Sequence, residues 1–459
     1  MPLRRLTCKT LVLLWCVMTV NVSAAQQPRA AELLAQYVRL NTSNPPGQEI
    51  QAARFFAKIF EQAGIPYQVF EAEPGRGNIV ARLKGSSAKP GVLLLHHMDV
   101  VAAEQSRWDY APFEARMVDG YMHGRGTLDN KASGIFQLLA FLALHEQGQA
   151  LTRDVIFMAT ADEEAGGNLG VKWLLEKHPE LIDGVGAVLN EGGSGARRDG
   201  KLSFGIEVTQ KVPLWLRITA AGTPGHAAAP LPDSAPQRLI RALNTFDNIK
   251  FKARVLPVVG QYLARLAETS PAPWDKYLST PEELVGSPAL LAELRNYNRR
   301  LYVLLVNTCA VTRLSGSAKI NVVPAEASAE VDCRLLPDEN PEQVLAEIRQ
   351  KLSAEGVSVE PILSFGPGSS SKDNFLYEAI EQVLAVHYPD APVLAKMNAG
   401  FTDSHYFREK GIPAFGFSPL ILGASDFGGA HGDNEKISLE NVDLGAKLTL
   451  EILQKLSYE

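Results

Sequence analysis

Histidines and carboxylates follow several strongly apolar segments of the chain, at the points where each segment ends. The segment "VLLLHHMD" contains His97 and Asp99, "VIFMATADEEAGG" runs into Glu163 and Glu164, and "AVLNEGG" runs into Glu191. Buried strands favour valine, isoleucine and leucine, and a buried charged group needs a partner. Ligands of open α/β sheets bind beyond the carboxyl ends of the strands, so these side chains are candidates for one site.

Two glycine-containing loops supply further candidates. Asp129 lies in "HGRGTLDNKAS" and His431 in "GGAHGDNEKI". Each motif alone has an ordinary explanation, such as a paired core histidine, a solvated acidic turn or a tight turn. A chain without a metal site would need an ordinary explanation at every one of these positions, so the set as a whole favours a metal site.

The number of candidate ligands indicates two ions. Two histidines and three carboxylates exceed the four ligands of a closed zinc site. Two divalent ions that share one carboxylate carry +4 against −3, which leaves +1 to stabilise a hydroxide held between them. Such ions lie about 3.5–4 Å apart and generate a nucleophile from water at neutral pH. On an extended segment, adjacent side chains diverge, so one of Glu163 and Glu164 can bind metal while the other acts as general base.

The elements that must position these residues alternate between strand and helix. Helical periodicity occurs in residues 30–63, 133–147, 168–177, 374–387 and 438–455, with short apolar strands between several of them. This alternation predicts a layered α/β catalytic domain with a mostly parallel sheet. From residue 211, a strand–helix–strand–strand–helix–strand pattern predicts an α+β sandwich, with a less regular region before residue 300. We expect a signal peptide (1–25), a catalytic domain in two parts (26–210 and 365–459) and an inserted domain (211–364).

The composition is that of a soluble globular protein, with 459 residues, 46% hydrophobic and 21% charged. Residues 1–25 have a basic start, the apolar run "LVLLWCVMTV" and small residues at the end. This pattern predicts a secretory signal peptide, and hence a periplasmic or secreted protein without a stable membrane span after processing. Removing its three positive charges changes the net charge from −6 to −9. An acidic chain without a basic run argues against a nucleic-acid partner.

Two cysteines remain after residue 25. Cys309 and Cys333 lie on strand-like segments that could be neighbours in one sheet. They could form a disulfide or stay as buried thiols, and we favour thiols because two cysteines do not make a disulfide scaffold.

From about residue 30 to its C-terminus, the chain resembles the co-catalytic zinc peptidase and amidohydrolase family of aminoacylase, glutamate carboxypeptidase, succinyl-diaminopimelate desuccinylase and carnosinase. The resemblance rests on "HMDVV", "GRGTLDNK", "ATADEEAGG", "NEGG", "GTPGHAAAP", "INVVPAEASAEVDCRLLP", "GFTDSHYF" and "HGDNEKI", which occur in the family's order. "GRGTLDNKAS" and the long insert look most like the branch of Gly-Xaa carboxypeptidase and N-acyl-amino-acid hydrolase.

The resemblance implies a role for each matched residue. It makes His97, Asp129 and Glu191 the ligands of one metal, and His431, the shared Asp129 and Glu164 the ligands of the other. Glu163 becomes the general base, and Asp99 orients His97 from behind. Should Glu163 not be the base, Asp162 is the next candidate. It also implies a cis peptide between Asp129 and Asn130, and it leaves His96 as a neighbour, not a ligand. Zinc is the first expectation, although manganese or cobalt would suit the same ligands.

The inserted domain resembles the family's lid and dimerisation domain. Here the resemblance makes His226, Asn321 and Arg334 substrate-binding residues, with His226 often reaching the partner subunit's site. An arginine fork suits a free carboxylate. His226 and Asn321 are 95 positions apart (321 − 226), longer than in compact relatives. A homodimer through the lid is therefore expected as one possibility, with a monomer as the other.

The resemblance implies a hydrolase that cleaves the amide bond of a small peptide or N-acyl amino acid with a free carboxylate. The resemblance leaves open whether it is a carboxypeptidase, a dipeptidase or an amidohydrolase. One alternative is a non-catalytic relative that keeps the fold for binding, although every matched position is filled. Another is serine chemistry through "GGSGAR", which lacks the strand–turn–helix context of a nucleophile elbow.

Overall fold

A computed structural model describes residues 26–86, 89–198, 200–423 and 429–458. The predicted signal peptide lies outside the described residues. The strands are β1 (Tyr67–Glu71), β2 (Gly77–Leu83), β3 (Gly91–His97), β4 (Arg116–Val118), β5 (Tyr121–His123), β6 (Val155–Thr160), β7 (Val185–Asn190), β8 (Ser194–Arg198), β9 (Lys201–Gln210), β10 (Val212–Ala221), β11 (Gly225–His226), β12 (Thr308–Ser315), β13 (Val322–Val323), β14 (Glu326–Leu335), β15 (Val357–Ser364), β16 (Val393–Asn398), β17 (Ala414–Gly416), β18 (Ile421–Leu422) and β19 (Lys436–Ser438).

The α-helices are α1 (Gln26–Val38), α2 (Glu49–Ala63), α3 (Lys131–Gln147), α4 (Val171–Lys177), α5 (Ala235–Asp247), α6 (Pro257–Ala267), α7 (Trp274–Ser279), α8 (Pro281–Gly286), α9 (Pro288–Tyr297), α10 (Arg299–Tyr302), α11 (Pro341–Leu352), α12 (Phe375–His387), α13 (Ser404–Glu409) and α14 (Leu439–Tyr458). Short 3-10 turns occur as well, one of them at Glu163–Ala165.

The large sheet has the strand order β1-β2-β6-β3-β7-β17-β9-β8-β18, with β16 beside β9. Its central strands β6, β3, β7 and β17 run parallel. Both β3 and β6 are buried along their whole length, as expected for parallel strands covered on both faces. Helices α1, α2, α3, α12 and α14 cover one face with a continuous apolar core. This layered α/β fold confirms the predicted fold class, and it gathers the carboxyl ends of the central strands at one edge.

The smaller sheet is antiparallel and has the order β12-β14-β10-β15. Helices α5 and α11 pack on one of its faces, where Leu239 and Ile348 meet Leu216 and Ile218 in one buried cluster. The chain passes from β9 of the large sheet to β10 of the small sheet through Lys211 alone. It returns to the large-sheet domain after β15.

Two expectations about the insert are wrong. The region before residue 300 is helical, because α6 to α10 bury their own cluster that includes Val259, Leu263, Trp274 and Leu301. These helices span 4 to 11 residues and several begin at proline, so each is too short for clear periodicity. Cys309 and Cys333 form a disulfide, because the register of β12 and β14 places the two residues opposite each other. Among the described residues, no helix combines the length and apolar character that a membrane crossing requires.

Candidate metal centre

The candidate ligands meet at the carboxyl edge of the large sheet. His97 is the last residue of β3, and Glu191 directly follows β7. Glu163 and Glu164 lie in a 3-10 turn just after β6, and this turn begins at Asp162, whose φ of 74° is left-handed. The expected extended segment at Glu163–Glu164 is therefore wrong. The tight turn, not strand alternation, separates the two side chains.

Asp129 lies at the centre of the cluster and presents one oxygen to each side. Its Oδ1 is 3.0 Å from His97 Nε2, and its Oδ2 is 3.1 Å from His431 Nε2. Glu191 Oε1 adds a second carboxylate to the first side, 3.4 Å from His97 Nε2. Glu164 Oε2 adds one to the second side, 3.0 Å from His431 Nε2. Two ligand sets that share one carboxylate are the arrangement expected for a pair of metal ions.

The atoms present fit divalent cations. Ligand atoms of His97, Asp129 and Glu164 lie within 4.8 Å of one another, as do those of His97, Glu163 and Glu191. Within the described part of the chain, Glu164 Oε1 is buried and has no hydrogen-bond partner. A buried carboxylate oxygen without a donor is costly unless a cation compensates it. The set of imidazole and carboxylate groups suits zinc and its neighbours in the first transition row.

The two histidines carry the positive charge that this acidic cluster requires. Burial alone would lower the pKa of His97, but Glu191, Asp129 and Asp99 outweigh it and hold that pKa well above its usual value. Hydrogen bonds to Asp129 and Glu164 raise the pKa of His431 to about 10. Divalent ions would supply the same charge, and both imidazoles could then bind as neutral ligands.

The carboxylates respond differently to the same surroundings. Burial raises the pKa of Glu191 to about 7, and it also raises the pKa of Glu164. Burial likewise acts on Asp129, but the hydrogen bonds from His431 and His97 keep its pKa below the usual range. Asp129 is thus the ionised group between two cations, which is the state a bridging ligand needs. The peptide bond between Asp129 and Asn130 is cis, as the resemblance implied.

Glu163 is the carboxylate of this group that no arginine, lysine or hydrogen-bonding histidine engages in the described residues. It is 6% exposed, and burial with the nearby Glu191 and Glu164 raises its pKa well above the usual value. A carboxyl group of raised pKa beside a water-activating site is suited to accept and return a proton.

Asp99 acts mainly on the turn that carries Glu163 and Glu164. Its Oδ1 accepts the Glu163 N–H at 3.1 Å, and its Oδ2 accepts the Glu164 N–H at 3.1 Å and Asn44 Nδ2 at 2.9 Å. His97 Nδ1 instead lies 2.9 Å from the Asp99 main-chain carbonyl oxygen and 3.5 Å from Oδ1. Asp99 therefore orients His97 chiefly through its backbone, which frees the carboxylate to hold the neighbouring turn.

Asp162, the reserve candidate for the base, is engaged elsewhere. Its Oδ1 accepts Arg76 Nη2 at 2.8 Å, and its Oδ2 accepts the Leu169 N–H at 3.0 Å. Arg76 also forms a two-bond ion pair with the buried Glu49. Sequence reasoning missed Arg76 and Glu49, because single polar residues in α2 and before β2 carry no motif or spacing that links them to the centre.

Other neighbours of the centre include His96 and Asp403. Burial lowers the pKa of His96 to about 3, and its Nδ1 lies 3.2 Å from Gln137 Oε1. His96 packs among aromatic rings as a neutral core residue. Asp403 is 3% exposed, and burial raises its pKa well above the usual value. The charge of His97 lowers this pKa, and the charge of Asp99 raises it further. Asp403 lies in the quoted motif "GFTDSHYF", so a signal existed that the sequence analysis did not use.

The three lid residues lie in two places. His226 and Asn321 meet on the small ribbon of β11 and β13, where the Ala227 N–H donates to the Asn321 carbonyl oxygen at 3.1 Å. Both residues are exposed, and no hydrogen bond or ion pair joins them to the metal cluster in the described part of the chain. The separation of 95 positions along the chain therefore does not keep them apart in space.

Arg334 lies at the junction of the two sheets. Its guanidinium carbon is 5.0 Å from the centre of the Phe401 ring, two residues before Asp403. The arginine fork is held by Asp332, with Nε–Oδ1 at 2.7 Å and Nη2–Oδ2 at 2.9 Å. The alternative serine, Ser194, opens strand β8 and not a helix, so it does not form a nucleophile elbow.

Comparison with known proteins gives the same picture. Residues 93–455 match the family described as Peptidase family M20/M25/M40. The chain is 28% identical over 400 residues to aminoacylase-1B of Rattus norvegicus, covering 84% of this chain and 86% of that protein. It is 29% identical over 416 residues to N-fatty-acyl-amino acid synthase/hydrolase PM20D1.1 of Danio rerio, covering 85% and 76%.

Solved structures share the fold at lower identity. The M20 family metallo-carboxypeptidase Sso-CP2 from Sulfolobus solfataricus superposes with a TM-score of 0.72 at 21% identity, covering 93% of this chain and 98% of that chain. Human carnosine dipeptidase 1 gives 0.68 at 17% identity, covering 94% and 97%. The family match over most of the chain, joined to this cluster of ligands, means that the chain belongs to peptidase family M20/M25/M40 and is a metallohydrolase of the aminoacylase and peptidase type.

Proposed function

We propose that the protein is a two-metal hydrolase that cleaves the amide bond of a small peptide or N-acyl amino acid with a free carboxylate. The observation that carries the proposal is the placement of Asp129, which presents one oxygen to His97 and the other to His431. The names of the relatives, an aminoacylase and an N-fatty-acyl-amino acid hydrolase, support the same substrate class.

Two sets of residues would hold the metals, with zinc as the first choice. His97 and Glu191 would bind one ion, His431 and Glu164 the other, and Asp129 both. Bound there, the ions would polarise the scissile carbonyl and lower the pKa of water to near neutrality.

Glu163 carries the proton in this proposal. It accepts a proton from the attacking water and later gives it to the leaving amine, which departs as a neutral group. Its burial supports the first step directly, because a carboxylate of raised pKa is a stronger base than an ordinary glutamate, and the proton that it takes up stays bound until the amine accepts it. Asp99 contributes by holding the turn that aims Glu163.

The lid would supply substrate recognition. Arg334 can exchange its fork from Asp332 to a substrate carboxylate, since the two acceptors have the same geometry. His226 is exposed and belongs to a ribbon beside the exposed apolar residues Ile320 and Val322. These features support a homodimer in which the histidine acts on the partner's substrate. Export through residues 1–25 remains part of the proposal.

The test combines a substrate panel with a matched pair of variants. The panel contains N-acyl amino acids and dipeptides with free and amidated carboxyl ends, and the acids should be hydrolysed in preference. Glu163→Gln should keep both metals and lose about 10²–10⁴-fold in turnover. Glu164→Gln, one position along, should lose metal.

Near-normal turnover in metal-replete Glu163→Gln would place the base elsewhere. Two bound metals without hydrolysis of any panel member would favour the non-catalytic binding protein. Activity that resists chelators would revive the serine alternative.

A further inference from the structure

Glu435 is a buried carboxylate outside the candidate metal cluster, and it binds the loop that carries Asp129. Glu435 is fully buried. Its Oε2 accepts Arg125 Nη1 at 2.6 Å and the Gly126 N–H at 3.0 Å. Its Oε1 accepts the N–H of Leu128 at 2.7 Å and the N–H of Asp129 at 3.1 Å. All four donors belong to residues 125–129, so one side chain fixes the backbone of this loop at three amides.

The loop binds back to the segment that carries the other central ligand. Arg125 Nη2 donates to the Gly432 carbonyl oxygen at 2.9 Å, and the Gly124 N–H donates to the Glu435 carbonyl oxygen at 2.9 Å. Residues 124–129 thus donate hydrogen bonds to both the side chain and the backbone of residues 431–435. The first segment ends in Asp129 and the second begins with His431, which meet at 3.1 Å.

The segment at His431 depends on such contacts, because its own backbone is strained. His431 and Asn434 have φ values of 60° and 59°, a region that residues other than glycine rarely adopt. Asn434 Oδ1 accepts the Asp109 N–H at 2.7 Å. A positive φ at two non-glycine positions persists only when surrounding contacts hold it.

Burying the carboxylate of Glu435 at this place costs free energy that an uncharged side chain would not. It lies buried beside Asp129, a like charge, and requires Arg125 and three amides to compensate it. Replacing such a pair with apolar residues often leaves a protein as stable or more stable. The position of Glu435 is explained by the two segments that it joins, because one ends at Asp129 and the other begins at His431, and both of these residues are candidate metal ligands.

We propose that Glu435 is a positioning residue that assembles Asp129 and His431 into a ready-made two-metal cradle before any ion binds. The proposal rests on the proposed function, because it takes Asp129 and His431 to be metal ligands. Glu435 acts through the backbone of residues 126–129 and touches neither metal nor substrate.

The test is Glu435→Gln, which keeps the shape but replaces one acceptor oxygen by an NH₂ group that faces backbone N–H donors. In the metal-free protein, hydrogen–deuterium exchange of the peptide covering residues 124–130 should rise while the rest of the chain keeps its protection. Metal affinity, measured by competition with a chelator, should fall about 10–100-fold, the usual effect of removing a group that supports a ligand. At saturating metal, KM should stay near the wild-type value.

Asp154→Asn is the matched control. Asp154 accepts hydrogen bonds from the Gly85 N–H and Arg82 Nη1, each at 2.8 Å. It directly precedes β6, so it lies at the amino ends of the parallel strands, opposite the candidate metal centre. This variant should lose stability without losing metal affinity. An equal loss of affinity in both variants would show a global effect and overturn the proposal.

Unchanged exchange at residues 124–130 together with wild-type metal affinity in Glu435→Gln would also overturn it. If Glu435→Gln fails to fold, Arg125→Lys tests the same connection, because it removes the bond to Gly432 and should weaken metal binding in the same way. A wild-type protein that binds no metal pair would refute the proposed function. The exchange measurement would still decide whether Glu435 holds the loop.

Discussion

The contacts of Asp99 make a prediction that distinguishes two roles for its carboxylate. In Asp99→Asn, one oxygen must become an NH₂ group. Whichever way the amide turns, it cannot accept both the Glu163 N–H and the Glu164 N–H. One buried backbone donor therefore loses its acceptor, at a cost of about 1–3 kcal/mol.

That cost translates into turnover, because the two donors belong to the turn that carries the base. With every 1.4 kcal/mol equal to about tenfold, kcat should fall by roughly 5–150-fold. The contact from His97 Nδ1 to the Asp99 carbonyl oxygen survives the substitution. Metal affinity on the His97 side should therefore stay within about tenfold of the wild type.

The assay is kcat and KM at saturating metal, with a separate titration of each metal position. Asp154→Asn serves again as the control, since it makes the same substitution far from the centre. A wild-type kcat of Asp99→Asn at saturating metal, together with a loss of affinity of 100-fold or more on the His97 side, would exclude this role of the carboxylate. That result would mean that the carboxylate acts on the imidazole, as the resemblance implies.

Three further predictions concern the lid and the domain junction. If Arg334 binds the substrate carboxylate, Arg334→Ala and amidation of the substrate should each raise KM strongly, and both together should cost little more; additive losses would show that the two groups do not meet. If His226 acts across a dimer, mixing His226→Ala with Glu163→Gln subunits should restore activity, whereas mixed dimers without activity would favour a self-contained lid. Burial lowers the pKa of Lys211 to about 7 in the folded protein, from a value near 10.5 for an ordinary lysine such as that of the unfolded chain. Between these two values the unfolded chain binds more protons than the folded protein, so stability rises with pH. Raising the pH from 7 to 9 should therefore increase the free energy of unfolding of the wild type by about 2 kcal/mol relative to that of Lys211→Met, in which the other titrating groups are the same. Urea unfolding of both proteins at the two pH values measures this difference.

The parts of the site that were predictable from sequence are those with strong local signals. His97 and Glu191 end apolar runs long enough to be buried parallel strands, and the parallel centre of the sheet brings such ends together. Asp129 and His431 lie in loops, so their positions followed from family motifs and not from any period in the sequence.

The parts that were not predictable depend on contacts between distant segments. Glu435 meets residues more than 300 positions away, and Arg76 reaches Asp162 across 86 positions. The disulfide depends on the register of two strands, which a sequence pattern does not specify. The two roles of Asp99 are distinguished by the distances from His97 Nδ1, which are 2.9 Å to the Asp99 carbonyl oxygen and 3.5 Å to its Oδ1. A sequence does not contain such a difference.

In the proposed site, Asp129 bridges two metal ions. The most direct test is a crystal structure of the metal-loaded protein with anomalous scattering recorded at the zinc edge. We expect two peaks about 3.5–4 Å apart, one beside His97 and Glu191 and the other beside His431 and Glu164, with one oxygen of Asp129 on each. A single peak, or a second peak that Asp129 does not touch, would contradict it.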